Sequence, residues 1–180
     1  MIITVSGQPG AGSTTLAKQV AKTLHYRLLT MGEIHKRIAK QHGMAIKEYW
    51  EHQRKNPTAE KRFHNELDAY QKREAKRGNI VINGKLSAFK IPNADLKILI
   101  VASLRERAKR TVKRDGGPIK SAMAAIKKRE TIERRDWKKM YGFDYIADKR
   151  YYDFVIDTTK LNEKQTNNVV LDIISKVKKR

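Results

Sequence analysis

The stretch Gly7-Gln8-Pro9-Gly10-Ala11-Gly12-Ser13-Thr14-Thr15 decides how this chain is read. It follows the apolar run Ile2-Ile3-Thr4-Val5 and leads into Leu16, Val20 and Leu24, which share one face of a helix expected to begin near Thr14. A glycine-rich turn between a strand and a helix is the setting of a phosphate-binding loop. Its glycines let backbone N–H groups converge on phosphate oxygens, and the helix N-terminus adds the positive end of its dipole. The whole segment from Gly7 through Gln8, Pro9, Gly10, Ala11, Gly12, Ser13 and Thr14 to Thr15 is therefore expected to enclose the phosphates of a nucleoside triphosphate. The hydroxyl of Thr14 is the expected ligand for Mg²⁺. The pattern G-x-x-x-x-G-K-[ST] has lysine where this chain has Ser13, and that lysine neutralises the β and γ phosphates. A cation must come from elsewhere. Lys18, one turn along the helix, would point away, so an arginine from a more distant segment is the better candidate.

Outward from this loop the chain alternates short apolar runs with longer helical stretches, the signature of a parallel sheet covered by helices. Five strands are expected: Ile2 to Ser6, Tyr26 to Leu29, Ile80 to Asn83, Lys97 to Val101 and Asp153 to Asp157. Their lack of strict alternation fits strands buried on both faces. A charged helical segment from about Met31 to Lys76 is broken near Gly43 and at Asn56-Pro57, and is too long for a simple crossover. A second, very basic one runs from Leu104 to Met140 and is interrupted by Asp115-Gly116-Gly117-Pro118. Val169, Val170, Ile173, Ile174 and Val177 mark a closing helix over Asn167 to Lys179. The expected fold is α/β and three-layered, a five-stranded parallel sheet flanked by helices, in one domain of 180 residues interrupted by two insertions.

The 40 Lys and Arg residues against 19 Asp and Glu give a formal net charge of +21, which attracts polyanions such as nucleotides or RNA without naming one. Solvated lysine-rich helix faces account for the same count equally well. With no cysteine, disulfides and thiolate metal sites are excluded, and the five histidines lack ligand spacing. No apolar run approaches membrane-spanning length and no secretory signal precedes the first strand, so a cytoplasmic protein without membrane partners is expected. Apolar residues at 39% and a mean hydropathy of −0.69 are low but sufficient for a folded core.

With the loop, the insertions and the sheet in place, the chain resembles the nucleoside monophosphate kinases, in particular the archaeal type of cytidylate kinase within the P-loop NTPases. The likeness rests on Gly7 to Thr15, Thr30-Met31-Gly32-Glu33-Ile34-His35-Lys36, Gly43-Met44, Gly78 to Leu86, Arg129-Glu130, Tyr141-Gly142-Phe143-Asp144 and Tyr152 to Ile156. It implies ATP-dependent, Mg²⁺-assisted phosphorylation of CMP or dCMP by a monomer. The family's acceptor-binding insertion falls on residues 31–76, its lid on about 113–140, and its core on 1–30, 77–112 and 141–180. Arginines of the family pattern fall on Lys36 and Lys85, expected with Gly84 near the acceptor phosphate. In the lid Arg129 matches a family arginine, while a second falls on Asp136, leaving Arg135 to serve. Lys85, Arg129 and Arg135 are thus the implied catalytic cations. Glu33 and Asp68 are implied carboxylates toward the cytosine or ribose, ordinary surface acids being the competing reading. The acid at the end of the third strand falls on Asn83. Tyr49, Trp50, Phe63 and Tyr70 could stack on the base but are expected to pack the insertion's own core.

Ser13, Asn83, Lys36, Lys85 and Asp136 all depart from the family at positions that touch phosphate or metal. They keep a second class open: a kinase-derived protein with little transferase activity that binds nucleotide or RNA through its basic surface.

Overall fold

The computed structural model describes residues 1–178 and shows a five-stranded, all-parallel sheet in the order β2-β3-β1-β4-β5. The strands are β1 Ile2–Gly7, β2 Arg27–Thr30, β3 Ile80–Asn83, β4 Leu96–Val101 and β5 Phe154–Asp157, each within a residue of its expected place. The helices are α1 Ser13–Leu24, α2 Met31–Gln41, α3 Ile46–Arg54, α4 Pro57–Lys76, α5 Ser87–Lys90, α6 Leu104–Asp115, α7 Ile119–Tyr141 and α8 Glu163–Lys178. The short α5 has no periodic signal, and α8 starts four residues earlier than its apolar spacing implies, at Glu163. Lys179, included in the expected closing helix, lies outside the described residues.

Period-two alternation explains why the strands read as continuous apolar runs. On β3, Val81 joins Ile3, Val5, Ile98, Ile100, Leu16, Val20, Val170 and Ile174 beneath α1 and α8, whereas Ile80 and Ile82 join Leu29, Ile34, Leu67 and Ala75 beneath α2 and α4. Both faces are covered, so both registers are apolar. The breaks in the two charged segments fall where expected. Proline occupies the first position of α4, and the preceding Asn56 side chain accepts a hydrogen bond from Ala59 N at 3.1 Å. α6 opens on a Ser103 cap over Glu106 N, and ends at Asp115 before Gly116-Gly117-Pro118.

The carboxyl ends of β1, β3 and β4 converge, the place where ligands sit in open parallel sheets. β3 is central to it: its last residue, Asn83, meets the loop after β1, and Lys85, two residues later, meets α7.

Candidate active site

The loop after β1 is built by backbone and closed by short contacts. Gln8 N donates to Ile100 O at 3.2 Å, Ala11 N to Gln8 O at 3.0 Å, and the Gln8 side chain accepts from Ala102 N at 3.1 Å, so the loop is stitched to the end of β4. A Cβ on Gly7 would lie 2.7 Å from Ser13 Cβ, which is why strand and helix can approach this closely. At Gly10, φ is +80° and a Cβ would lie 2.9 Å from the Arg107 carbonyl; only glycine fits without strain. No side chain caps α1 and no acid stands in its first turn, which leaves its N–H groups and dipole for an anion.

Thr14 Oγ1 donates to Asn83 Oδ1 at 2.9 Å, and Asn83 Nδ2 donates to Val5 O at 2.9 Å. The amide is thereby oriented, and the threonine oxygen keeps its lone pairs for a cation. Among the described residues no cluster of three or more His, Cys, Asp or Glu could hold a metal. A hydroxyl and an amide oxygen with no carboxylate suit an ion that keeps most of its water and takes its remaining ligands from phosphate. That donor set fits Mg²⁺.

Across β3 the site is built from side chains. Lys85 and Glu133 of α7 form a buried ion pair, and Arg129 Nε, one helical turn away, donates to the same carboxylate at 2.8 Å. Lys85 also lies 5.5 Å from the centre of the Trp137 ring and 5.8 Å from that of Tyr145. Burial lowers the Lys85 pKa to about 8 against the pull of Glu133. Burial works against the charge on Glu133 too, but Lys85 and Arg129 outweigh it and hold the carboxyl below its ordinary range. The arrangement is therefore a firmly ionised carboxylate between two cations, of which the lysine is the one that can lose its proton.

A shell of rings surrounds this pair. His35 meets Trp50, Phe63 and His64 at ring separations of 6.4, 5.5 and 6.1 Å, and Arg129 lies over Trp50 at 5.4 Å. Burial, then His64 and Lys85, depress the His35 pKa to about 4; burial also lowers His64. Both imidazoles are neutral near pH 7. Lys90 sits 3.6 Å from the centre of the Tyr141 ring and pairs with Asp68 at 2.6 Å, while Gln71 donates to Asp68 and accepts from Ser87.

The structure separates the sequence-derived site residues. Ser13, Thr14, Lys85 and Arg129 converge on the strand ends, and Gly84 is seated there by Ser6 Oγ donating to its carbonyl at 2.8 Å. Glu33 and Lys36 pair with each other at 3.6 Å on the solvent side of α2, more than half exposed. Asp68 is engaged by Lys90. Arg135 is 69% exposed and bonded to its neighbour Asp136, and six residues from Arg129 place it roughly 120° away around the helix. Tyr49 and Phe63 pack together inside the first insertion, as expected of aromatics at helical spacing.

Sequence reasoning missed Glu133, Lys90, His35, His64, Arg107 and Arg110. Arg107 donates to Ala102 O, to Pro9 O at 3.2 Å and to Glu130 of α7 at 2.6 Å. Arg110 donates to Ala11 O at 2.9 Å and to three oxygens of the segment after β5, at Thr158 and Leu161. The four-residue spacing of Arg129 and Glu133 was the available signal for the first of these; the others depend on tertiary contacts.

Comparison with known proteins gives the family. The model of the cytidylate kinase-like family matches residues 2–160. The chain is 38% identical over 160 residues to the cytidylate kinase of Pyrococcus horikoshii, covering 89% of this chain and 81% of that one. It is 35% identical over 178 residues to the cytidylate kinase of Methanothrix thermoacetophila, covering 99% and 100%. Among solved structures, the shikimate kinase of Bacteroides thetaiotaomicron superposes with a TM-score of 0.62 at 13% identity, covering 99% and 98% of the two chains. An uncharacterized protein from Eubacterium ventriosum gives 0.69 at 19% identity over 97% and 98%. At such low identity these structures speak to the fold alone.

Proposed function

Because the chain belongs to the cytidylate kinase-like family, we propose that it transfers the γ-phosphoryl group of ATP to CMP or dCMP, giving ADP and the nucleoside diphosphate. The observation that carries this is the end of β3. Asn83 there touches the Thr14 hydroxyl of the phosphate loop, and Lys85 two residues on is held with Arg129 of α7. One strand end thus joins a donor-phosphate cradle to a pair of cations suited to an acceptor phosphate.

Loop amides from Gly7 to Thr15 and the uncapped N-terminus of α1 bind the donor phosphates. Thr14, with Asn83 behind it, would hold Mg²⁺, which supplies positive charge to the phosphate oxygens when bound. The acceptor phosphate is already nucleophilic, so no protein base is needed, and the residues' task is alignment and charge. Lys85 and Arg129 receive the acceptor phosphate, which competes with Glu133 for them; Gly84, where a Cβ would meet Ser87 and Met31, lets the turn that carries Lys85 pack against both. In this reading Asp68, held by Lys90 and Gln71, accepts from the cytosine amino group. Glu33 and Lys36 lie further out on α2 and contribute to the rim, and Arg135 contributes field rather than contact. Residues from about 113 to 140, the end of α6 and most of α7, serve as the lid that excludes water, and residues 31–76 serve as the acceptor-binding insertion.

A coupled assay with ATP·Mg²⁺ and each of CMP, dCMP, UMP and AMP tests this: turnover with CMP or dCMP is expected, and none with either overturns the proposal. One observation favours a second activity. The exposed side of α7 carries Lys120, Lys127, Lys128, Arg135, Lys138 and Lys139, while Glu130 and Glu133 turn inward onto Arg107 and Lys85. A helix face of one sign attracts a nucleic-acid backbone, and steeply salt-dependent RNA binding lost with those lysines is its test. None of the described helices is long and apolar enough to cross a membrane.

A further inference from the structure

We infer that the Tyr145 hydroxyl takes over the Glu133 carboxylate when an acceptor phosphate draws Lys85 and Arg129 away from it. The inference rests on the reading of those two cations as the acceptor-phosphate site, and it follows the charge that they leave behind. Among the described residues Glu133 accepts hydrogen bonds from Lys85 and Arg129 alone, and it is buried. A phosphate that takes both would leave a buried carboxylate without a counter-charge, and stripping the partners from such a group is costly. Binding at this site therefore calls for a second donor to Glu133. A hydrogen bond to an ionised acceptor is among the stronger kinds, so one hydroxyl can offset much of the loss.

Tyr145 is that donor. Its side chain is wholly buried, yet its hydroxyl has no hydrogen-bond partner among the described residues. A buried O–H without a partner destabilises the arrangement it sits in. Its surroundings lead to the carboxylate. Glu133 and Trp137 lie one turn apart on α7, the Trp137 ring meets Tyr145 edge-on at 5.2 Å, and Lys85 Nζ, bonded to Glu133, is 5.8 Å from the centre of the Tyr145 ring. Burial pushes the Tyr145 pKa up, and of the charges around its hydroxyl Glu133 raises it most, ahead of Glu130, with Arg129 and Arg107 opposing. The phenol therefore keeps its proton and can donate it. Its backbone is fixed, since Tyr152 Oη donates to Tyr145 O at 2.8 Å, and the preceding Asp144 accepts from Ile146 N and Ala147 N and is clamped by Arg134. The flexible glutamate side chain is the part that moves. Tyr141 also has a buried hydroxyl without a partner among the described residues, but the carboxylates that act on it are Asp68 and Glu60 of α4. Tyr145 acts through Glu133, so it is a positioning residue.

The test is a double-mutant cycle between Tyr145→Phe and Glu133→Gln, read as CMP and ADP affinity by titration calorimetry, with thermal melts alongside and CMP turnover of the unaltered enzyme as reference. Tyr145→Phe is expected to weaken CMP about tenfold and ADP by less than about twofold; in the Glu133→Gln background, where no charge is left behind, its effect on CMP shrinks below about twofold. Its melting temperature should fall by no more than about 2 °C, because the lost hydroxyl bonds nothing in the free enzyme. Tyr152→Phe, which loses a bonded hydroxyl, is the contrasting variant: it melts lower and acts equally in both backgrounds. If Glu133→Gln does not fold, the difference between CMP and ADP and the melt of Tyr145→Phe decide. A CMP loss undiminished by Glu133→Gln, or equal losses for CMP and ADP, would overturn the inference. So would a Tyr145→Phe chain that melts far lower or fails to fold, by showing that the hydroxyl is already bonded. Turnover of CMP together with an additive cycle removes only the role of Tyr145. A coupled cycle without turnover of CMP or dCMP removes only the proposed reaction.

Discussion

The two halves of this site are made of different materials. On the proposed donor side, Gly7 to Thr15 forms a loop of backbone amides whose side chains contain no titratable group. On the proposed acceptor side, His35, His64, Lys85, Arg129 and Glu133 form a cluster of titratable side chains, drawn from α2, α4, the turn after β3 and α7. Backbone geometry is encoded by a few adjacent residues, so the first half is compact in sequence, rigid and insensitive to pH. Charge pairing between distant segments is encoded nowhere locally. The second half therefore depends on α7 being in place, and on which protons are bound.

Steric substitution in the donor half breaks this contrast with the largest effect. Gly10→Val forces a β-branched residue into φ +80° with a Cβ 2.9 Å from the Arg107 carbonyl. A loss of about 2–4 kcal/mol in unfolding free energy is expected, and kcat/KM should fall at least roughly a hundredfold as the loop's amides leave their positions. A variant that unfolds normally in urea and keeps ATP affinity would show that the amide positions are not what binds phosphate.

The acceptor half responds next. Glu133→Ala strips the shared carboxylate from Lys85, leaving a buried cation, and should cost about 3 kcal/mol of stability, with Glu133→Gln costing less because its amide oxygen still accepts a bond. The second variant separates folding from binding. With Lys85 and Arg129 freed, the CMP KM of Glu133→Gln is expected to fall while ATP affinity holds. A rise in both constants would mean that the two halves are not independent.

How much of this was legible follows the same division. The loop, the five strands and the two interrupted helical segments were readable because each is a local pattern: glycine spacing, apolar runs, and Asn56-Pro57 or Gly116-Gly117-Pro118 as breaks. Lys85 and Arg129 could be named from the family pattern, but the carboxylate that joins them could not, because nothing near position 85 says that position 133 packs on it. Asp68 and Glu33 looked alike in sequence. Tertiary packing then buried one under Lys90 and left the other in a solvent pair with Lys36.

Acidity sharpens the contrast without any substitution. Lys85 titrates at about 8 in the folded protein against an ordinary 10.5, so above pH 8 the acceptor phosphate loses a cation and the CMP KM should climb. ADP affinity should stay nearly flat from pH 7.5 to 9, because the loop has nothing to titrate. For stability the sign is different. Between about 8 and 10.5 the unfolded chain holds the lysine proton that the folded chain has released, so this residue's contribution rises with pH across that window. His35, lowered from 6.5 to about 4, gives the same slope lower down: stability falls as pH drops from 6.5 toward 4. At pH 5 this should amount to roughly 1–2 kcal/mol, recovered in His35→Phe and measurable by urea titration at pH 5 and 7. An unchanged pH dependence in that variant would show that His35 is not a buried neutral group.

The smallest expected effect concerns Arg135, and it tests where the acceptor half ends. Chain position alone makes Arg135 a fair substitute for the family arginine displaced by Asp136. Helix geometry removes it from the cluster, because the side of α7 that faces Lys85 is defined by Arg129 and Glu133, four residues apart, and Arg135 lies well around the helix from both. Its bond to Asp136 is an exposed neighbour pair of little energetic weight. Arg135→Ala should therefore leave kcat/KM for CMP within about threefold and stability within about 0.5 kcal/mol, whereas Arg129→Ala should raise the CMP KM by about tenfold or more. If the two variants lose activity equally, the lid must rotate about α7's axis during turnover and bring Arg135 to the acceptor. The cluster at Lys85 would then be a resting arrangement that the substrates undo.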